Sequence, residues 1–178
     1  KGELSPRFVK GLPPIHSVGQ GGLLDIVLDP RFSVNRFIYL SYVRGRSGEM
    51  ATTVARARLD GMILSELEVI FNAYPMTGKR HHFGSRLLFA LDGTLLITLG
   101  DRGHRSWAQD RTIHPGSVVR IWPTGAIPND NPFIGDTQGG DAIFSYGNRN
   151  PQGLAMNPST GEIWMHEHGP RGGDELNR

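Results

Sequence analysis

Residues 87–97 read LLFALDGTLLI, two short apolar runs joined by the turn Leu91-Asp92-Gly93-Thr94. Glycine supplies the positive backbone φ that tight hairpin turns need, and aspartate is common in the same turns. The stretch therefore predicts a β-hairpin. Pro158-Ser159-Thr160-Gly161 predicts a second turn of this kind further along the chain.

The same order of strand, turn and strand occurs three times. LLDIVLDP begins at Leu23 and GLAMNP begins at Gly153, and each is followed by a second apolar run. Counted from Leu23, Leu87 and Leu154, the spacings are 64 and 67 residues. Paired strands repeated in this way are typical of β-propeller blades, which have about four strands each. The predicted fold class is all-β, and residues 1–178 are predicted to form a single partial propeller domain.

Strands are predicted wherever Val, Ile, Tyr and Phe concentrate between turn residues. These segments are 23–28, 37–43, 52–59, 68–73, 86–90, 94–99, 117–122, 142–146, 153–156 and 162–166. One short helical turn is predicted over 110–116. Propeller closure takes at least four blades, so a piece of about three would leave strand edges open. We expect the chain to stop before the propeller is complete and to self-associate through exposed blade edges.

The composition excludes several classes of function. The chain has no cysteine, which rules out disulfides, thiol catalysis and thiolate metal sites. Its net charge of +2 does not call for a nucleic-acid partner. No apolar run approaches the ~20 residues that span a bilayer, and Lys1-Gly2-Glu3-Leu4 contains no apolar signal core.

Polar motifs follow or precede the predicted strands, where a rigid β scaffold commonly places its binding groups. They are GQGGLLD (19–25), HHFGSRLLF (81–89), LGDRG (99–103), NPFIGD (131–136), SYGNRNPQG (145–153) and HEHGPRGGDELN (166–177). In this order the motifs resemble the soluble PQQ-dependent aldose sugar dehydrogenases of the glucose/sorbosone dehydrogenase family. The resemblance implies a six-bladed propeller, here a fragment of about three blades, in a periplasmic or secreted protein.

Three catalytic residues are implied by this resemblance. His82 matches the catalytic base, and an imidazole is suited to taking a hydroxyl proton near neutral pH. Asp101 matches the carboxylate that orients this base. Arg149 matches a contact to PQQ and a cation beside the reduced quinone oxygen. His81 would point away from His82 if both residues lay on a strand.

Further residues match contacts to the cofactor and to calcium. Gln20, His82, Arg149 and Asn150 match PQQ contacts. Gly169 and Pro170 match backbone carbonyl ligands of the active-site Ca²⁺, a hard cation that binds carbonyl oxygen well. Glu175 matches a ligand of a separate, structural calcium site. The chain departs from the family at Ser117-Val118 and at Asn148, where the family has Gly-Lys and His, and we expect these changes only to tune the site.

The activity implied is oxidation of the anomeric hydroxyl of an aldose to a lactone, with hydride transfer to calcium-bound PQQ. An external electron acceptor would reoxidise the cofactor. One alternative is a metal-dependent lactonase, with His166, Glu167, His168 and Asp174 as ligands. Another is a propeller that binds partners without catalysis, because a fold does not decide a function.

Overall fold

The computed structural model describes residues 2–3 and 5–178. Within them the strands form three antiparallel sheets that follow one another along the chain. Blade 1 contains β1 (Leu23–Leu28), β2 (Phe37–Arg46), β3 (Glu49–Asp60) and β4 (Ile63–Asn72), and a four-residue helix α1 (Phe32–Asn35) joins β1 to β2. Its strands are hydrogen-bonded in sequence order.

Blade 2 repeats this meander. It contains β5 (Leu87–Phe89), β6 (Leu95–Thr98), β7 (Ser117–Ile121) and β8 (Ile143–Tyr146), with a 3₁₀ helix at Arg105–Gln109 between β6 and β7. Blade 3 contains β9 (Pro151–Met156), β10 (Ile163–Glu167) and β11 (Glu175–Asn177). The prediction of an all-β fragment of about three blades is therefore confirmed.

Both predicted turns join paired strands. In blade 2 the backbone N–H of Ala90 donates to the carbonyl of Thr94 at 2.9 Å, and Gly93 has φ +85°. In blade 3 the N–H of Asn157 donates to the carbonyl of Glu162 at 2.8 Å, and Gly161 has φ +76°. These left-handed conformations are the reason for glycine at the two positions.

The helical turn predicted over 110–116 is wrong. The Asp110 carboxylate accepts bonds from the backbone N–H and the hydroxyl of Thr112, at 2.9 and 2.6 Å. Such a local side-chain bond offers the backbone an alternative to a helix. The 3₁₀ helix ends just before this turn, at Gln109.

Blade 2 is packed on both faces, which explains why LLFALDGTLLI is so continuously apolar. Leu95 and Ile97 pack toward blade 1 in a cluster that includes Tyr39 and Val54. Leu96, which points to the opposite face of β6, packs with Met165 of blade 3. The three blades therefore share continuous apolar interfaces.

The NPFIGD motif has a structural role in blade 2. The side-chain amide of Asn131 donates to the backbone carbonyls of Arg120 and Asp141, at 3.0 and 2.9 Å. The Arg120 guanidinium in turn pairs with Asp92 and Asp130, at 2.7 and 2.9 Å. Arg120 therefore ties the hairpin turn of β5 and β6 to the segment that precedes β8.

Among the described residues, no helix has the length and apolar character needed to cross a membrane.

Candidate functional site

Five loops meet at one end of the blades. Strands β1, β5 and β9 begin there, after the segments 19–22, 79–86 and 147–150. Strands β6 and β10 end there and lead into 99–103 and 168–174. The antiparallel order of the sheets thus brings together five of the six polar motifs, while NPFIGD lies elsewhere.

The predicted base and its carboxylate are in direct contact. Nδ1 of His82 lies 2.7 Å from Oδ1 of Asp101. The Asp101 side chain is 2% exposed and the His82 side chain 14%, so the pair is largely removed from water. Oδ1 of Asp101 also accepts the backbone N–H of Gly103 at 2.7 Å, which fixes the carboxylate in its turn.

The two neighbouring histidines are not arranged as a strand would place them. Residues 79–86 form a loop in which His82 has φ +54°, a left-handed conformation that is uncommon for residues other than glycine. The rings of His81 and His82 meet edge to face with centroids 4.6 Å apart. The two residues do not lie on a strand, so the alternation that would turn His81 away from His82 does not apply here.

Gln20 stabilises this unusual backbone. Its side-chain oxygen accepts the backbone N–H of His82 at 2.9 Å, across 62 residues of sequence. The Gln20 backbone N–H donates to the carbonyl of Arg80 at 2.9 Å. With its oxygen used in this way, Gln20 offers its NH₂ group to a ligand as a donor. The residue predicted as a cofactor contact is thus also a support for the base.

A buried arginine holds the same loop from beneath. The Arg102 guanidinium donates to the backbone carbonyls of Lys79, His81 and Met50. It also lies 3.7 Å from the centroid of the Phe83 ring. Burial lowers the pKa of Arg102 to about 10. The LGDRG motif predicts a role for Asp101 alone, because the contacts of Arg102 are made to residues distant in sequence.

Arg149 is linked to the base through Asp101. The backbone N–H of Asp101 donates to the carbonyl of Arg149 at 2.8 Å. The Arg149 guanidinium donates from Nη1 to the carbonyls of His168 and Gly169, at 2.8 and 3.1 Å. His82, Asp101, Arg149 and Gly169 thus form one continuous set of contacts.

Asn150 and its neighbours line a cavity of about 330 Å³ at this end of the blades. Nε2 of Gln152 donates to Oδ1 of Asn150 at 2.9 Å, which leaves the Asn150 NH₂ as a donor. Arg86, for which no role was predicted, donates to Asp25 at 3.1 Å and to the carbonyl of Gln152 at 3.0 Å. The lining residues are Gln20, Leu24, Phe83, Gly84, Ser85, Arg86, Asn150, Gln152 and His168.

The residues predicted to bind calcium lie on one loop. The Gly169 carbonyl faces the Arg149 guanidinium, and the Gly169 N–H donates to Asp174 at 2.9 Å. Pro170 is exposed next to it. Glu175 lies at the start of β11, where it is 3.4 Å from the side-chain nitrogen of Asn177 and directly across the ladder from Glu167. Their roles as calcium ligands stay predictions.

Within the described part of the chain, no three His, Cys, Asp or Glu side chains are grouped so that they could hold one metal ion. The four ligands of the lactonase alternative are therefore not assembled. Of that set, Nδ1 of His168 lies 3.6 Å from Asp174, and both side chains are more than half exposed. Glu167 instead is buried and bonds backbone groups of the 147–150 loop.

Known proteins share this arrangement of strands. Over 172 residues the chain is 44% identical to aldose sugar dehydrogenase YliI of Escherichia coli, covering 95% of this chain and 46% of that protein. The crystal structure of the apo form of the soluble aldose sugar dehydrogenase from Escherichia coli has a TM-score of 0.91 and 44% identity, covering 95% of this chain and 50% of that one.

A second solved structure contains the quinone. The PQQ-bound form of aldose sugar dehydrogenase from Streptomyces coelicolor has a TM-score of 0.78 and 30% identity, covering 95% of this chain and 48% of that one. The chain spans about half the length of these relatives. The family model described as Glucose / Sorbosone dehydrogenase matches residues 1–178. This chain belongs to the glucose/sorbosone dehydrogenase family.

Proposed function

We propose that this chain carries the proton-accepting half of a PQQ-dependent aldose dehydrogenase site, which oxidises the anomeric hydroxyl of a sugar to a lactone. The observation that supports this most is the contact of His82 with Asp101, linked through the Asp101 backbone to Arg149. It joins a base, the carboxylate that orients it and a cation. The relatives named aldose sugar dehydrogenase support the sugar substrate.

His82 is proposed to take the hydroxyl proton. With Nδ1–H donated to Asp101, the neutral ring keeps its lone pair on Nε2, which is the atom that accepts. When the ring becomes an imidazolium, the adjacent carboxylate stabilises its charge. Gln20 and Arg102 hold the backbone on which the ring is mounted. The anomeric carbon whose hydroxyl is deprotonated also gives up its hydrogen as a hydride, which bound PQQ would accept. The sugar thereby becomes a lactone.

The residues around the cavity fit an anionic quinone. The NH₂ groups of Gln20 and Asn150 are donors, and Arg86, which pairs with Asp25, lies at the wall. Arg149 uses Nη1 on two carbonyls, and within residues 2–3 and 5–178 its Nε and Nη2 bond no other group, so both can donate to a carboxylate or a quinone oxygen. When bound, PQQ would supply the electron-poor carbonyl carbon that accepts a hydride.

Calcium is proposed to bind at the carbonyls of Gly169 and Pro170, and a second ion at Glu175. Both carbonyls belong to the loop that contacts Arg149, and the Gly169 oxygen already faces a cation in this structure. Calcium accepts backbone carbonyls readily and would act there as a Lewis acid. Bound calcium would therefore use an oxygen that the Arg149 guanidinium contacts in this structure.

The site is proposed to work in the periplasm or in a secreted protein, with an external electron acceptor. Reconstitution of the full-length protein with PQQ and calcium, followed by aldose-dependent dye reduction, tests the proposal. We expect reduction that requires PQQ and an aldose. Stoichiometric zinc together with lactone hydrolysis would point to the lactonase instead. Failure to bind PQQ at all would contradict the proposal and favour a non-catalytic module.

A further inference from the structure

Glu167 is a buried carboxylate with no role in the mechanism above. It is the last residue of β10 and is 4% exposed, between the exposed residues His166 and His168. In the described part of the chain no Lys, Arg or His side chain lies within ion-pair distance of it. Burial raises its pKa. Because an unpaired buried carboxylate is costly, its partners need an explanation.

Those partners are mainly two consecutive backbone amides. Oε2 of Glu167 accepts the N–H of Arg149 and, at 3.2 Å, the N–H of Asn150. Oε1 accepts the side-chain nitrogen of Asn177 at 3.3 Å. Successive N–H groups that converge on one anion form a concave anion site, here filled by a side chain of the protein itself. Glu167 thereby fixes the backbone at residues 149 and 150.

Arg149 and Asn150, whose N–H groups bond Glu167, contact the rest of the site through their backbone carbonyls. The Arg149 carbonyl accepts the N–H of Asp101 at 2.8 Å, and the Asn150 carbonyl accepts the N–H of His168 at 3.3 Å. A shift of residues 149–150 would therefore move the Arg149 guanidinium, the carboxylate that orients His82 and the loop that carries Gly169. The Glu167 carboxylate therefore supports the positions of the Arg149 guanidinium, the Asp101 carboxylate and the Gly169 loop.

We propose that Glu167 is a positioning residue, which holds the Arg149–Asn150 backbone so that the Arg149 guanidinium and the His82–Asp101 pair face the same ligand. The inference rests on the proposed function for its catalytic consequence. The clamp on the backbone is a separate claim that can be measured without any cofactor. Glu167 touches neither substrate nor cofactor in this account, since its oxygens are used by Arg149, Asn150 and Asn177.

Three substitutions of Glu167 separate the effect of side-chain length from the effect of its charge. Glu167→Gln keeps the length and one oxygen acceptor but removes the charge. Glu167→Asp keeps the charge but is one methylene shorter, and Glu167→Ala removes both. Glu162→Gln is the matched control, because this glutamate precedes the same strand at its far end and pairs with Arg178 at 3.0 Å. All variants are made in the full-length protein, and their thermal unfolding is recorded.

The first measurement is hydrogen–deuterium exchange of a peptide containing residues 149–150 in the protein without cofactor. We expect slow exchange in the wild type, in Glu167→Gln and in Glu162→Gln. Faster exchange is expected in Glu167→Asp and Glu167→Ala. Equal protection in Glu167→Ala and the wild type would overturn the clamp. This result does not depend on whether the protein oxidises sugars.

The second measurement is PQQ affinity together with kcat and KM for an aldose. Removing the outer hydrogen-bond partner of a metal ligand commonly costs about 10- to 100-fold in affinity or activity, and we take the same scale for the backbone that Glu167 holds. We expect losses of that size in PQQ affinity and kcat for Glu167→Ala and Glu167→Asp, with a largely unchanged aldose KM and a substantial rescue in Glu167→Gln. If Glu167→Asp is instead more active than Glu167→Gln, the negative charge matters and the positioning role is wrong. If the wild type itself binds no PQQ, the proposed function fails and the exchange result alone decides on the clamp.

Discussion

Nδ1 of His82 lies 2.7 Å from the carboxylate of Asp101, and this short contact joins two motifs that are 19 residues apart in the chain. Asp101 is almost fully buried and bonds Gly103 with the same oxygen. The imidazole is therefore held by a fixed acceptor, which selects the tautomer with its proton on Nδ1. The other ring nitrogen is left to accept a proton.

Replacing Asp101 with asparagine tests this selection of the tautomer. The side-chain amide of the Asp101→Asn variant can place an NH₂ group against the ring, which favours the tautomer with its proton on Nε2 and removes the accepting lone pair from that atom. We expect kcat to fall on the order of 10²-fold or more, as for other oriented histidine bases. PQQ affinity should change little. A variant with normal kcat would show that the carboxylate only supports the turn.

Arg149→Ala tests the proposed role of this guanidinium as a contact to PQQ. Loss of a charge-assisted donor should weaken PQQ binding and also lower kcat, because the same guanidinium is proposed to face the negative charge that develops on the quinone. Arg149→Lys should recover the charge but only part of the affinity, since an ammonium lacks the planar pair of donors. Fluorescence titration with PQQ measures both variants. An affinity unchanged in Arg149→Ala would remove this residue from the binding site.

Gly100→Ala tests how closely the loop of His82 is packed. A Cβ at position 100 would lie 2.4 Å from the backbone oxygen of His82, so that this backbone must move. We expect a loss of about 1–3 kcal/mol in the free energy of unfolding and at least a tenfold fall in kcat. Gly140→Ala is the control, because its Cβ would meet the flexible end of Ile143 at 3.3 Å and the Arg111 carbonyl oxygen at 3.4 Å, which are much longer contacts than the one at Gly100. Equal kcat values in the two variants would contradict the packing argument.

His114 should make the fold sensitive to acid. Burial lowers its pKa below the ordinary value of 6.5, and its Nδ1 accepts the backbone N–H of Tyr74 at 3.0 Å. Below pH 6.5 the unfolded chain takes up this proton while the folded chain resists it, so stability falls as the pH falls. His114→Asn keeps an acceptor but does not titrate. We expect urea unfolding between pH 7.5 and pH 5.5 to show a smaller loss of stability in the variant, and identical losses would contradict the assignment.

Local sequence was sufficient for most of the blades. The conformations of the turns at Asp92-Gly93 and Thr160-Gly161 are set by the residues within each turn. The hairpins that contain these turns could therefore be predicted. Helix α1 was not predicted, because four residues are too few to show a period. Strand β11 was not predicted, because Glu175-Leu176-Asn177 contains no Val, Ile, Tyr or Phe. The helical turn over 110–116 failed because the Asp110 side chain competes for the backbone.

The predicted catalytic residues came from the motifs, while the groups that support them are set by distant contacts. The left-handed backbone of His82 depends on Gln20, which is 62 residues away, and no local pattern indicates it. The burial of Arg102 depends on the loop that folds over it. The role of Glu167 is likewise set by distant contacts, because it ends β10 and its carboxylate bonds backbone groups 17 and 18 residues away.

The rate at which an aldose reduces bound PQQ in a single turnover tests the central claim most directly. The full-length protein, loaded with PQQ and calcium, is mixed with the sugar in a stopped-flow instrument, with His82→Ala and His81→Gln compared in parallel. We predict a rate about 10²- to 10⁴-fold lower in His82→Ala and less than tenfold lower in His81→Gln. A His82→Ala protein that binds PQQ and is reduced at the wild-type rate would contradict the account.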